Sequence, residues 1–149
     1  MKEILFRGKN KETKEWVYGY YAKVKDYLND KEFHVIFPLG SAGSIEVIPE
    51  TVGRLIEYPN YDAFYENERM FEGDIVEVCN RHDDVECKQP KTVAIVVNES
   101  CITEDGKGRW FPQDTTRIKV VGNVHDNPEL VGKKYADSYL RYNGYGKED

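Results

Sequence analysis

The chain reads as a mostly β protein: an N-terminal β-hairpin and sheet region packed with a small SH3-like antiparallel barrel, then a short C-terminal helix. Three observations predict this. Eleven tyrosines, six phenylalanines and two tryptophans stand in 149 residues, and aromatic and β-branched side chains suit a pleated, half-buried surface. The apolar runs are short and bounded by glycine-rich or polar turns. Finally, Met70-Phe71 followed by Glu72-Gly73-Asp74 and then Ile75-Val76-Glu77-Val78 is a chain reversal feeding a buried strand.

The elements follow in order. Glu3–Arg7 is an extended segment, the run from Gly8 to Glu15 is turn-rich, and Trp16–Val24 is aromatic and β-prone, which makes an N-terminal hairpin. The period of two puts Trp16, Tyr18 and Tyr20 on one face and Val17, Gly19 and Tyr21 on the other. Gly19 between aromatics marks a bulge or the close approach of another strand. Phe33–Phe37 is a third strand ended by Pro38, residues 39–44 turn, and Ile45–Ile48 and Val52–Tyr58 are strands separated by Pro49-Glu50-Thr51. Residues 59–69 are a loop or one helical turn.

In the second half, Asp74–Cys79 is a strand, residues 80–91 a polar loop, and Thr92–Val97 a near-continuous apolar run that belongs in the middle of a sheet. A turn at Asp105–Gly108 leads to Arg109–Pro112, and Ile118–Val124 closes the small barrel. Asn127 as cap and Pro128 in the first turn start a helix that runs to about Arg141. One domain over 1–149 is expected, with sub-regions 1–58 (sheet), 70–125 (barrel), 126–141 (helix) and a flexible tail at 142–149.

Composition sets limits. The 40% apolar and 32% charged fractions are those of a folded soluble chain, and at this length about 68–70% of the unfolded surface is buried without need of a disulfide or metal. The charged N-terminus is unlike a signal peptide, no apolar run reaches membrane-spanning length, and three irregularly spaced cysteines make no disulfide framework. A cytoplasmic protein with reduced thiols is expected. Net charge is −6; from Glu46 to Glu86 twelve acids face three arginines, a balance of −9, which leaves about +3 elsewhere and opposes duplex DNA binding.

No catalytic set emerges, and neither a cofactor nor an enzymatic activity is expected. Cys79, His82 and Cys87 are the candidates for a metal, but structural zinc needs four ligands and no second Cys/His pair closes the tetrahedron. Cys101 could be an outside ligand, and any of the three cysteines could meet His34, His82 or His125, though no local signature supports a nucleophile pair. Glu72 and Asp74 could act as acid and base; capping backbone N–H groups of the Glu72-Gly73-Asp74 turn is the simpler role.

Binding surfaces are better represented. Trp16, Tyr18, Tyr20 and Tyr21 beside Lys9, Lys11, Lys14 and Lys23 combine rings with positive charge, as in single-strand nucleic-acid binders. One face of this hairpin must be core, however, so half the rings are committed to packing. Self-association through an aromatic strand or the C-terminal helix is the stronger expectation.

Five ordered segments carry a family resemblance: Ile4-Leu5-Phe6-Arg7; Trp16-Val17-Tyr18-Gly19-Tyr20; Ile48-Pro49-Glu50-Thr51-Val52-Gly53; Met70-Phe71-Glu72-Gly73-Asp74-Ile75-Val76; and the run from Val121 through Asn127-Pro128-Glu129 to Leu130. In this the chain resembles the YopX family of phage and prophage proteins. That family typically has Tyr/Phe-Thr-Gly-Leu-Lys-Asp after the Val-Gly pair, where this chain has Leu55-Ile56-Glu57-Tyr58-Pro59-Asn60 and a tyrosine-rich insertion. The resemblance implies a mostly β fold encoded by bacteriophages, with no catalytic residues to carry over, so that the matched positions are fold-defining. The functional expectation is a non-enzymatic accessory protein in the bacterial host cytoplasm. It would self-associate and bind a host or phage protein, without a membrane. A single-strand nucleic-acid binder is the alternative, and an acidic decoy or a metal-binding protein a further one.

Overall fold

The computed structural model describes residues 5–56, 69–79, 92–97, 100–103, 109–110 and 117–142. The chain divides into two compact units, one built on residues up to Leu55 and the other on Ile56–Tyr142. Both are β-rich, and one short helix lies near the C-terminus.

In the first unit β1 (Phe6–Lys9), β2 (Trp16–Asp26), β3 (Lys31–Pro38), β4 (Ile45–Glu46) and β5 (Gly53–Ile56) lie in the order β4-β3-β2-β1-β5. The ladders are antiparallel: Arg7 stands opposite Tyr18, Tyr20 opposite Phe37 and Ala22 opposite Val35. β2 is longer than its apolar run suggests, because charged residues carry it on to Asp26. Pro49–Thr51 forms a 3-10 turn, and the Thr51 hydroxyl accepts a hydrogen bond from the Lys9 N–H at 2.8 Å. Ile36, Val47 and Val52 form the core on one sheet face, with Phe6, Val17 and Tyr21 packed against them. Gly19 is required here: a Cβ at this position would lie 2.1 Å from the Phe37 carbonyl oxygen, so β3 approaches β2 as only glycine permits.

In the second unit a short β6 (Met70–Phe71) precedes β7 (Asp74–Cys79), β8 (Thr92–Val97), β9 (Ser100–Ile102), β10 (Arg109–Trp110) and β11 (Arg117–Asn123). Their sheet has the order β10-β9-β8-β7-β11, with an irregularity in β11 between Val120 and Gly122. β8 is indeed internal, as its apolar sequence requires, and is buried on both faces. Ala94 and Val96 join Ile56, Met70, Val76 and Cys101 on one side, while Ile95 joins Ile75, Val124 and Ala136 on the other. Among the described residues β10 and β11 are edges, and no pairing closes the sheet into the expected barrel.

The C-terminal helix also differs from expectation. α1 spans Lys133–Tyr142, and Pro128–Leu130 is a separate 3-10 turn. Asn127 makes no side-chain cap bond, because its Oδ1 accepts instead from the Asn123 N–H at 3.3 Å. Tyr135, Tyr139 and Leu140 lay one face of α1 on the Ile75–Ile95 cluster. No helix among the described residues is long and apolar enough to cross a membrane.

Candidate functional site

The β2–β3 hairpin sorts its side chains by the period of two. Val17 and Tyr21 turn inward to the core of the first unit, whereas Tyr18 and Tyr20, with Phe37 opposite, are exposed on the other face. Of the four aromatic residues singled out in the sequence, Trp16, Tyr18 and Tyr20 therefore share a face and Tyr21 does not. Trp16 is half-buried, with the Arg7 guanidinium carbon 4.4 Å and the Lys9 ammonium 5.3 Å from its ring centroid. Both contacts lie within cation–π range.

Tyr21 has a structural partner. Its ring packs on Phe6 with centroids 5.3 Å apart and stacks on His34 at 5.9 Å, and its hydroxyl lies 2.7 Å from His34 Nδ1. Burial, aided by nearby Lys23, holds the His34 imidazole below its ordinary range, and burial raises Tyr21. Tyr21 and His34 thus share a hydrogen bond whose donor is set by the imidazole tautomer.

Lys23, Lys25 and Glu32 stand on the Tyr21 side of the ribbon, whereas Asp26 and Lys31 at its end share the Tyr20 face. Lys23 bonds Glu32 at 3.2 Å and Lys25 meets Asp30 at 3.4 Å. The opposite face of the ribbon, through Tyr18, Tyr20, Ala22 and Val24 of β2 and Phe33, Val35 and Phe37 of β3, carries no charge. Glu46 of β4, opposite Val35 and so on the aromatic face, pairs with Lys11 at 2.9 Å. These lysines do not form a track along the aromatic face.

At the hairpin's end Asp26 builds the turn. Its Oδ1 accepts from the Leu28 N–H at 3.0 Å and the Asn29 N–H at 3.4 Å, and its Oδ2 accepts from the Asn29 side chain at 2.7 Å. The Asn29 bond foremost, then that from Leu28, hold this carboxyl below its usual range. The fixed turn presents Tyr27 and Leu28 at 85% and 96% exposure. Sequence reading missed this tip; the available signal was Asp26 followed three residues later by Asn29, with an apolar pair between them.

The Glu72-Gly73-Asp74 turn is structural. Gly73 has φ +89° and a Cβ there would meet the Tyr139 hydroxyl at 3.3 Å, so both the conformation and the space favour glycine. Asp74 is buried and its Oδ2 accepts the Phe71 N–H at 2.8 Å. The Gly73 N–H donates to the Val96 carbonyl, and the Gly73 carbonyl accepts from the Val124 N–H, each at 2.9 Å. The later matched run folds on itself in the same manner: Asn123 Oδ1 accepts from the N–H groups of His125 and Asp126.

Of the candidate metal ligands, His82 and Cys87 lie outside the described residues, and Cys79 ends β7 with its backbone opposite Arg117. Among the described residues no three His, Cys, Asp or Glu side chains come together as a cation site. Cys101 is fully buried in the apolar cluster beneath β8, and burial pushes its thiol up to about 12.

No curated protein and no solved structure matches this chain. A family model described as YopX protein matches residues 5–132. That span takes in the N-terminal hairpin, the Gly73 turn and the Asn123 network alike, and the chain belongs to the YopX protein family.

Proposed function

We propose that this chain is a non-catalytic docking module of a bacteriophage or prophage, acting in the host cytoplasm by self-association and by binding a protein partner through the β2–β3 hairpin. One observation carries this reading. Of the eight exposed large hydrophobic side chains among the described residues, seven (Tyr18, Tyr20, Val24, Tyr27, Leu28, Phe37 and Leu39) lie on this hairpin and its flanking turns. Apolar exposure concentrated on one element marks an interaction surface, while scattered single residues do not. The buried thiol of Cys101 and the engagement of His34 with Tyr21 agree with binding rather than catalysis. We further infer an SH3-like barrel for the second unit, beyond the open sheet of its described strands.

Affinity purification of the full chain from induced host cells, with light scattering of the pure protein, tests the reading. Wild type is compared with a Tyr20→Asp, Leu28→Asp double variant. The expected result is an oligomer and a co-purifying protein that the double variant loses. A strict monomer with no hairpin-dependent partner overturns the reading.

Single-strand nucleic-acid binding is the second reading, favoured by Arg7 and Lys9 against Trp16. The uncharged ribbon face and the paired lysines 11, 23 and 25 weigh against it, since such binding rests on cations along the strand path. Fluorescence anisotropy with labelled single strands at low salt decides it: a signal lost with Trp16→Ala and with rising salt favours this reading. An acidic decoy would need the acids of 46–86 on one face, and many of these fall at 57–68 and 80–91, outside the described residues.

A further inference from the structure

The β2–β3 hairpin is anchored over only part of its length. As far as Tyr21 and Ile36 its inner face belongs to the core of the first unit, where Phe6, Val17 and Tyr21 pack on Ile36, Val47 and Val52. β1 flanks β2 at residues 16–19, and β4 flanks β3 at residues 35–36. Among the described residues no third strand pairs with the hairpin further out, and none of Lys23–Glu32 joins a core cluster. Each residue of that stretch is exposed except Asp26, which is half-buried.

A ladder of side chains holds the outer stretch together. Tyr21 stands opposite Ile36, yet its hydroxyl bonds His34. Lys23 stands opposite His34 and bonds Glu32, and Lys25 stands opposite Glu32 and meets Asp30. Each rung thus slants one pair toward the tip. The outer two rungs are ion pairs between exposed groups, which add little in water. The Tyr21–His34 rung differs: both rings are half-buried and stack at 5.9 Å, at the place where the core ends.

We propose that the outer ribbon, Lys23–Glu32, is a conformational switch that zips and unzips as a unit above the folded core, with the Tyr21–His34 contact as its latch. A two-stranded hairpin with neither a third strand nor a packed face is marginally stable in water. Segments with few buried apolar contacts open at a small fraction of the global cost. The ribbon acts as one unit because its fixed points lie at its two ends, the latch below and the Asp26 turn above. Val24, Tyr27 and Leu28, all exposed, are held in a set arrangement only while it is zipped. The equilibrium belongs to the hairpin itself and needs no docking partner.

Acid operates the latch. His34 is faced by Tyr21 and Lys23 of β2, Glu32 of its own strand, Glu46 of β4 and Glu50 of the 3-10 turn. The three glutamates favour a charged imidazole, but burial first and Lys23 second prevail and hold it below its ordinary range. Unzipping carries Lys23 away and admits water to the ring, so the open form binds the proton more tightly. The zipped form is therefore favoured above the ordinary value of about 6.5 and loses that advantage as pH falls below it.

Native-state amide hydrogen exchange of the full chain, followed by NMR and corrected for intrinsic rates, tests this. At about pH 7.5 the hydrogen-bonded amides of 23–32 are expected to share one protection factor, roughly tenfold or more below the slowest amides of 16–21 and 34–38, with a weaker dependence on added urea. At about pH 5.5 that shared factor should fall several-fold in the wild type and stay level in His34→Gln. Tyr21→Phe, which keeps the ring and removes the hydroxyl, should lower it several-fold at the higher pH, and serves alone if His34→Gln does not fold. Outer amides as protected and as urea-sensitive as those of the core overturn the switch. So does protection that declines residue by residue toward the tip, which is simple fraying. Acid loosening that survives in His34→Gln, or unchanged protection in Tyr21→Phe, overturns the latch.

Discussion

The Tyr21 hydroxyl lies 2.7 Å from His34 Nδ1 at the margin of the first unit's core, a distance at which the two share a hydrogen bond. Burial, with Lys23 nearby, lowers the folded-state pKa of His34, and burial raises that of Tyr21. The His34 contribution to stability is therefore present above the unfolded value of about 6.5 and is lost as pH falls below it towards the folded value. The Tyr21 contribution is present below about 10 and is lost as pH rises past it. Urea midpoints measured across pH should fall on both sides of this window. Tyr21→Phe should flatten the alkaline limb and His34→Gln the acid limb; unchanged limbs in both variants would exclude the pair as their source.

Gly73→Ala should destabilise the protein by about 1–3 kcal/mol, since the variant must hold a left-handed conformation and crowd the Tyr139 hydroxyl. Asp74→Ala, which deprives the buried Phe71 N–H of its acceptor, should cost a similar amount, about 1–3 kcal/mol. Equilibrium denaturation measures both. A neutral result at Gly73 would mean that the turn relaxes.

Gly19→Ala should be the most damaging single methyl addition in the first unit. Its Cβ would meet backbone, the Phe37 carbonyl oxygen at 2.1 Å, and a strand cannot step aside as a side-chain end can. A loss of roughly 3 kcal/mol or failure to fold is expected, read by circular dichroism and denaturation. The outward-facing Leu28→Ser on the same hairpin should change stability by less than about 0.5 kcal/mol.

Cys101 should resist alkylation at pH 8 in the folded protein, because its thiol titrates near about 12 and lies within an apolar cluster. Mass mapping of labelled peptides with and without denaturant checks this. Modification of Cys101 at the unfolded rate under native conditions would contradict its burial.

The sequence made some of these features legible through simple stereochemistry. The alternation of β2, the close approach at Gly19, the Gly73–Asp74 turn and the internal place of β8 all follow from patterns within a few residues. Other features depend on groups that compete for one another. Asn127 has the composition of a helix cap, but Asn123 draws its side chain away and α1 starts at Lys133. β9, only Ser100-Cys101-Ile102, is too short to show a period. The outer part of β2 alternates lysines with Ala22 and Val24, a weak pattern for a strand, and its turn has no glycine to announce it. For the candidate site, the exposed aromatic row could be read from spacing, but the pairing of Lys23 with Glu32 on the opposite face required the β2–β3 register.

The Asp26 turn separates shape from recognition. Asp26 and Asn29 hold the reversal with their side chains; Leu28 adds only its main-chain N–H, and no turn-forming bond uses the side chain of either residue between them. Positions 27 and 28 can thus be rewritten independently of the fold, an interchangeable head on a stalk. A change of as few as two codons there would alter what the hairpin presents without altering how it folds.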